Sequence, residues 1–172
     1  MEFTNTHTTE TYKAYRINNL ATQNVLTPLL FSKGIKLENS HLSIPLFIPE
    51  NSPISKVLKT FEKGAINALN TDEPPTLLYY QNLYVNIPTK VCEDVVTPAI
   101  PIYDEDGNMI HDYTSYLDKP ISIYAVLDLN NVTQDTKTSK FYFRPRARQL
   151  KIKLRNPETL CQSVRNLTFP DF

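Results

Sequence analysis

The chain has 172 residues and a mass of 19.8 kDa, a length that predicts one domain. Hydrophobic residues make up 41% and charged residues 21%, enough apolar material to bury a core, which excludes a fully disordered chain. Its 18 basic and 18 acidic side chains balance to zero net charge, and no run approaches the roughly 18 apolar residues of a membrane span.

The N-terminal stretch Met1-Glu2-Phe3-Thr4-Asn5-Thr6-His7-Thr8-Thr9 is polar and threonine-rich, with no basic-then-apolar order of a signal peptide. Residues 1–11 are expected to be a loose arm, residues 12–160 one β-rich domain, and residues 161–172 a C-terminal tail. Lys13 to Asn19 predicts a first strand, with Tyr15 and Ile17 on one face. Val25 to Phe31 contains Pro28 and suits an irregular or edge strand. A hairpin follows: Ile35 and Leu37 alternate with charged residues, Asn39-Ser40 offers the turn, and Leu42, Ile44, Leu46 and Ile48 alternate again. Pro45 cannot donate a ladder bond, so its position is expected at an edge or a bulge.

One segment, residues 52–69, predicts a helix. Ser52 suits the N-cap and Pro53 the first turn. Ile54, Val57, Leu58, Phe61, Ala65 and Leu69 then recur at helical spacing. Ile54, Val57, Leu58 and Phe61 are expected to pack on a sheet, the simplest partner for a single amphipathic helix. Beyond it the pattern is strand again: 77–80 and 83–87 around Gln81-Asn82, then 97–103 and 109–113 around the polar loop 104–108 with its Gly107. Residues 121–129, 140–144 and 149–155 complete the set. The fold class expected is mainly β, an OB-like barrel or β-sandwich of about ten short strands with one central helix.

Enzyme signatures are absent: there is no nucleophile elbow, Walker loop or dinucleotide fingerprint, so no catalytic residue and no cofactor is expected. Asp104-x-Asp106-x-Asn108 begins like a calcium loop, but Met109 stands where such a loop needs Gly, and a solvated hairpin tip is the expectation. His7, His41 and His111 share no metal-ligand spacing. Cys92 and Cys161 are expected to be free thiols in an intracellular, reducing compartment. Glu93 and Asp94 disfavour a thiolate at Cys92.

The zero net charge conceals a segregation. Residues 1–70 carry seven basic and five acidic side chains, residues 71–136 two and eleven, and residues 137–172 nine and two. Such asymmetry hints at nucleic-acid contact. In Lys140-Phe141-Tyr142-Phe143-Arg144 the strand period puts the two Phe on one face and Lys140, Tyr142 and Arg144 on the other. In 149–155 it separates Leu150, Ile152 and Leu154 from Lys151, Lys153 and Arg155. The parity switches between the two runs, so they are two strands, or one with a bulge near Pro145-Arg146. Cations that track phosphates, interleaved with rings that stack on bases, are what a single strand requires. The competing interpretation is a solvated basic face balanced by the acidic middle of the chain.

Tyr116-Leu117-Asp118-Lys119-Pro120, the alternating strand 121–129, the polar loop after it and the two basic strands resemble the last part of viral and phage-type single-stranded DNA-binding proteins. The resemblance covers residues 115–155 and the C-terminus, where Phe169-Pro170-Asp171-Phe172 has that family's terminal aromatic with a single acid. It implies an OB-like barrel, a role in DNA replication and, for a viral protein, the host cytoplasm or nucleus. The combined expectation is a non-catalytic protein binding single-stranded nucleic acid, DNA ahead of RNA, with self-association left open and no membrane partner. Its contacts are expected at Lys140, Tyr142, Arg144, Arg146, Arg148, Lys151, Lys153 and Arg155. The alternative is a viral coat-type or scaffold β-sandwich assembling through its oppositely charged regions.

Overall fold

A computed structural model describes residues 2–18, 24–69 and 75–155. In chain order these form β1 (Glu2–Thr8), β2 (Tyr12–Asn18), β3 (Val25–Leu26), β4 (Leu30–Ser32), β5 (Lys36–Glu38), β6 (His41–Phe47) and α1 (Pro53–Leu69). There follow β7 (Leu78–Tyr79), β8 (Asn82–Ile87), β9 (Thr89–Cys92), β10 (Val95–Pro98) and β11 (Ile102–Tyr103). The last are β12 (Ile121–Asp128), β13 (Asn131–Asp135), β14 (Phe141–Phe143) and β15 (Arg146–Leu154). The fold is mainly β, as expected, with fifteen strands among the described residues rather than about ten. The surplus comes from two- and three-residue pieces too short to show alternation, and from β1, β9 and β10.

Five strands close a ring. β4 pairs with β6, β6 with β8, β8 with β15, β15 with β12, and β12 returns to β4. The β8–β15 contact that shuts it is parallel, at Arg146↔Asn86, and the amide of Asn86 donates to the Pro145 carbonyl at 2.8 Å. Taken in chain order the ring runs one-two-three-five-four, so the OB-like barrel is the architecture and the sandwich is not. Its interior is lined by the alternating residues Leu42, Ile44, Leu46, Leu83, Val85, Ile87, Ile121, Ile123, Ala125, Leu127, Leu150 and Ile152, all at most 2% exposed. Burying each large aliphatic side chain stabilises the fold by roughly 1.5–3 kcal/mol before entropy is counted.

The hairpin at Asn39-Ser40 forms as read, with both residues at positive φ, the geometry of a type I′ turn. At Pro45 the neighbour of β6 changes from β4 to β5, and Lys33-Gly34-Ile35 bends across the gap. The next hairpin turns at Tyr80-Gln81, one residue before the expected Gln81-Asn82. Asn82 is the first residue of β8. The loop 104–108 closes on itself through backbone and side-chain bonds to Asp104, with Gly107 at φ +88°.

Outside the ring, β1, β2, β13 and β14 make a second sheet in that order. The loose arm expected over residues 1–11 is corrected: Glu2–Thr8 is an edge strand paired with β2. Threonine's branched side chain suits a strand, and an edge exposed on its described face needs no apolar alternation. α1 begins where Ser52 Oγ accepts the amide of Ser55 at 3.2 Å, the expected N-cap. It buries Ile54, Leu58, Phe61 and Ala65, whereas Val57 is 40% exposed, a correction to the expected packing set. Phe61 meets Phe143 of β14 with ring centroids 5.9 Å apart, tying the helix to the second sheet. No helix among the described residues is long and apolar enough to cross a membrane. The expected tail, with Cys161, lies outside the described residues.

Candidate nucleic-acid interface

The segment between β12 and β15 leaves the ring as the β13–β14 hairpin and returns through Arg144-Pro145-Arg146. The two basic runs are therefore separate strands in different sheets: β14 belongs to the second sheet, β15 to the ring. A bulge does occur, but at Arg148. Gln149 faces Val126 and Ala147 faces Leu127, leaving Arg148 as the extra residue. That placement divides the eight expected residues.

At one end lies an open groove of about 330 Å³, lined by Thr76, Leu77, Tyr79, Tyr84, Asn86 and residues 142–145. Its floor is apolar. Leu77 and Phe143 are buried, and the Leu77 amide donates to Glu62 of α1 at 3.3 Å, so the helix supports the groove from below. Burial raises the Glu62 pKa, against the lowering effect of that amide and of Lys59. The walls are tyrosines. Tyr79 and Tyr84 are about half exposed, and Tyr142 is half-buried on β14. The Arg144 guanidinium stands 5.7 Å from the Tyr142 ring centroid, and its Nε donates to Thr133 Oγ1 at 3.1 Å. That bond fixes the plane of the cation beside the ring. Arg146 is exposed beside Asn86, its partner across the closing pair. Lys140 is exposed just before β14, and its carbonyl accepts the Asp135 amide in the hairpin end.

Farther along β15 are the remaining cations, from Lys151, roughly 16 Å from Arg146 by strand rise, to Arg155 just beyond its end, at roughly 30 Å. Lys151 is exposed beside Tyr124. Lys153 is paired with Glu105 of the 104–108 loop, whose hydrogen bond and charge raise the lysine's pKa. Arg155 donates to Ser122 Oγ at 2.7 Å and lies 5.2 Å from the Phe31 ring centroid. Arg148, in the middle, is paired with the buried Asp128. The acidic middle of the chain thus does neutralise part of the basic strand, at Arg148 and Lys153. Among the described residues, no carboxylate pairs with Arg144, Arg146 or Lys151. Leu154, expected on the apolar face, is 44% exposed at the strand's end.

Tyr79, Tyr84 and Asn86 were not among the expected contacts. A signal for two of them was present: in Asn82-Leu83-Tyr84-Val85-Asn86-Ile87 the buried residues alternate with Asn, Tyr and Asn, which puts a tyrosine on the solvent side. What periodicity could not show is that the β13–β14 hairpin stands next to that face. In barrels of this ring order, the face of the second and third strands and the loop between the fourth and fifth are where oligonucleotides bind. Here those are β6 and β8, and the insertion carrying Tyr142 and Arg144.

Cys92 is exposed, with no disulfide, and among the described residues no group of His, Cys, Asp and Glu could hold a metal ion. No protein-family model matches the chain, and no curated protein does. Among solved structures, gp2.5, a single-stranded DNA-binding protein encoded by bacteriophage T7, aligns over 88% of this chain and 100% of its own, with a TM-score of 0.45 and 9% identity. At that distance the likeness bears on none of the side chains above.

Proposed function

We propose that this protein binds single-stranded nucleic acid, DNA ahead of RNA, without catalysing a reaction on it, and that the tyrosine-walled groove is the centre of contact. The observation that carries the reading is Arg144 held against the Tyr142 ring at the mouth of a groove whose other walls are Tyr79 and Tyr84. A ring offers any base a stacking face, and an adjacent cation meets the phosphate that follows. Asn86 adds donors and an acceptor for a base edge. Lys140 and Arg146 flank this centre, and Lys151 continues it along β15. Arg148 and Lys153 already hold carboxylates and contribute less, and Arg155 lies farthest from the groove along the chain.

The test is fluorescence anisotropy of a labelled oligothymidylate over a range of salt concentrations, with the matching RNA alongside. Tyr142→Ala is expected to lose about 1–3 kcal/mol of affinity with little change in the salt slope, because stacking releases few counterions. A wild-type protein that binds neither oligonucleotide at low salt would overturn the reading.

A further inference from the structure

We infer that Tyr80, at the tip of the β7–β8 hairpin, is a preset stacking post that extends the groove by one unpaired base. The inference rests on the groove as the binding centre and names a further contact of that site. Two independent observations carry it. The Tyr80 side chain is 97% exposed. Its backbone has φ 47° and that of Gln81 φ 62°, a left-handed conformation that a bulky residue rarely adopts. A two-residue hairpin turn of this type favours Asn and Gly. An aromatic there works against both local strain and solvent exposure, the pattern found where a conformation serves a ligand.

The tip is also held rigidly. The Ile48 amide donates to the Gln81 carbonyl at 2.8 Å, and Asn82 Nδ2 donates to the Tyr80 carbonyl at 2.9 Å. Tyr79, the preceding residue, lines the groove, and Asn82 pairs with both Tyr79 and Phe47. A strand lying along Tyr142, Tyr84 and Tyr79 therefore meets Tyr80 as it leaves the groove. The backbone that carries the ring is already held, so little loop entropy is lost on stacking. The occupant is an unpaired base of the same strand.

The experiment compares wild type, Tyr80→Gly, Tyr80→Phe and Tyr142→Ala in oligothymidylate binding and thermal unfolding. Glycine adopts positive φ without penalty, so Tyr80→Gly is expected to unfold at a higher temperature than wild type. It is also expected to bind about 5- to 150-fold more weakly, the loss of one base stack. Tyr80→Phe keeps the ring face and is expected to match wild type in both. Weaker binding with a raised or equal melting temperature supports the post. Tyr80→Gly binding as wild type does, while Tyr142→Ala weakens, overturns the post and leaves the groove standing. A melting temperature lowered by Tyr80→Gly shows a structural role and overturns the post as well. Absence of binding by wild type overturns both.

Discussion

Arg148, the unmatched residue of the β15 bulge, reaches the carboxylate of Asp128, whose side chain has no solvent exposure, and Arg16 of β2 approaches the same oxygen at 3.3 Å. The Asn130 amide donates to the other oxygen at 3.1 Å. One acid thus links the ring to the second sheet, and it does so with a cation that simple strand parity, counted back from Leu150 and Ile152, would have turned inward and that the bulge turns outward.

Burial disfavours ionised Asp128, but the Arg148 hydrogen bond, the Asn130 amide and the two guanidinium charges together hold its pKa below the ordinary carboxylate value of 3.8. A lowered folded-state pKa means the charged form favours the native state. The stabilisation is complete above the unfolded pKa and lost as pH falls through the folded one. Asp128→Asn is therefore expected to cost about 1–3 kcal/mol at pH 7 and to flatten the loss of stability below about pH 4. Urea midpoints across that range check it, and identical acid profiles for the two proteins would refute the assignment.

Salt dependence separates cations that are available from those already paired. Changing Arg144, Arg146 and Lys151 together to Ala is expected to lower the slope of log affinity against log salt by about 2, at about 0.7 per phosphate contact. Changing Arg148, Lys153 and Arg155 together should lower it by well under half as much. Equal changes for the two triple variants would show that the intramolecular pairs do not persist in the complex.

Glu105 competes for Lys153 with any phosphate that reaches the far end of β15. Glu105→Gln releases that lysine, so binding is expected to tighten and the salt slope to steepen by about 0.7. The pair is exposed on both sides, so its loss should leave the urea midpoint nearly unchanged. A titration showing unaltered affinity would place the end of the footprint short of Lys153.

Gly34 has φ +115°, and a Cβ there would come within 2.5 Å of the Lys119 amide nitrogen and 2.6 Å of its carbonyl oxygen. Backbone on both sides leaves no flexible side chain to yield. Gly34→Ala is expected to cost about 2–4 kcal/mol, from the unfavourable φ and the overlap together. Denaturant unfolding measures this directly, and a loss under 1 kcal/mol would mean that the 118–120 segment moves aside.

Much of the barrel was legible because its strands bury one face. The alternation of Leu42, Ile44, Leu46 and of Ile121, Ile123, Ala125, Leu127 marks ring strands by period alone, and Ser52-Pro53 marks the helix start. The edge strand Glu2–Thr8 and the hairpin Thr89–Pro98 lack that alternation, and each pairs with its neighbour along the chain through a turn, Thr9-Glu10-Thr11 or Glu93-Asp94, that carries no glycine to mark it. For the site, the basic residues were conspicuous and the tyrosines were not. Composition shows that a charge exists, whereas only the fold shows whether a carboxylate already holds it, as at Arg148, or a ring stands beside it, as at Arg144. Tyr79 and Tyr84 come to the groove through a hairpin about 60 residues before Tyr142, a juxtaposition beyond the reach of any local pattern.

The ring is shut by a single parallel pair at Asn86 and Arg146, which makes that contact the barrel's seam. A short parallel pairing is the weakest line along which such a cylinder opens. Tyr84 and Asn86 stand on one side of it, and Tyr142 and Arg144 on the other. A strand seated in the groove therefore crosses the join like a stitch, and its binding energy opposes the parting of the two edges. Hydrogen exchange at the Asn86 amide, slow in the free protein relative to open loops, should slow further when the oligonucleotide is bound. Occupancy would then be felt throughout the cylinder as resistance to unzipping.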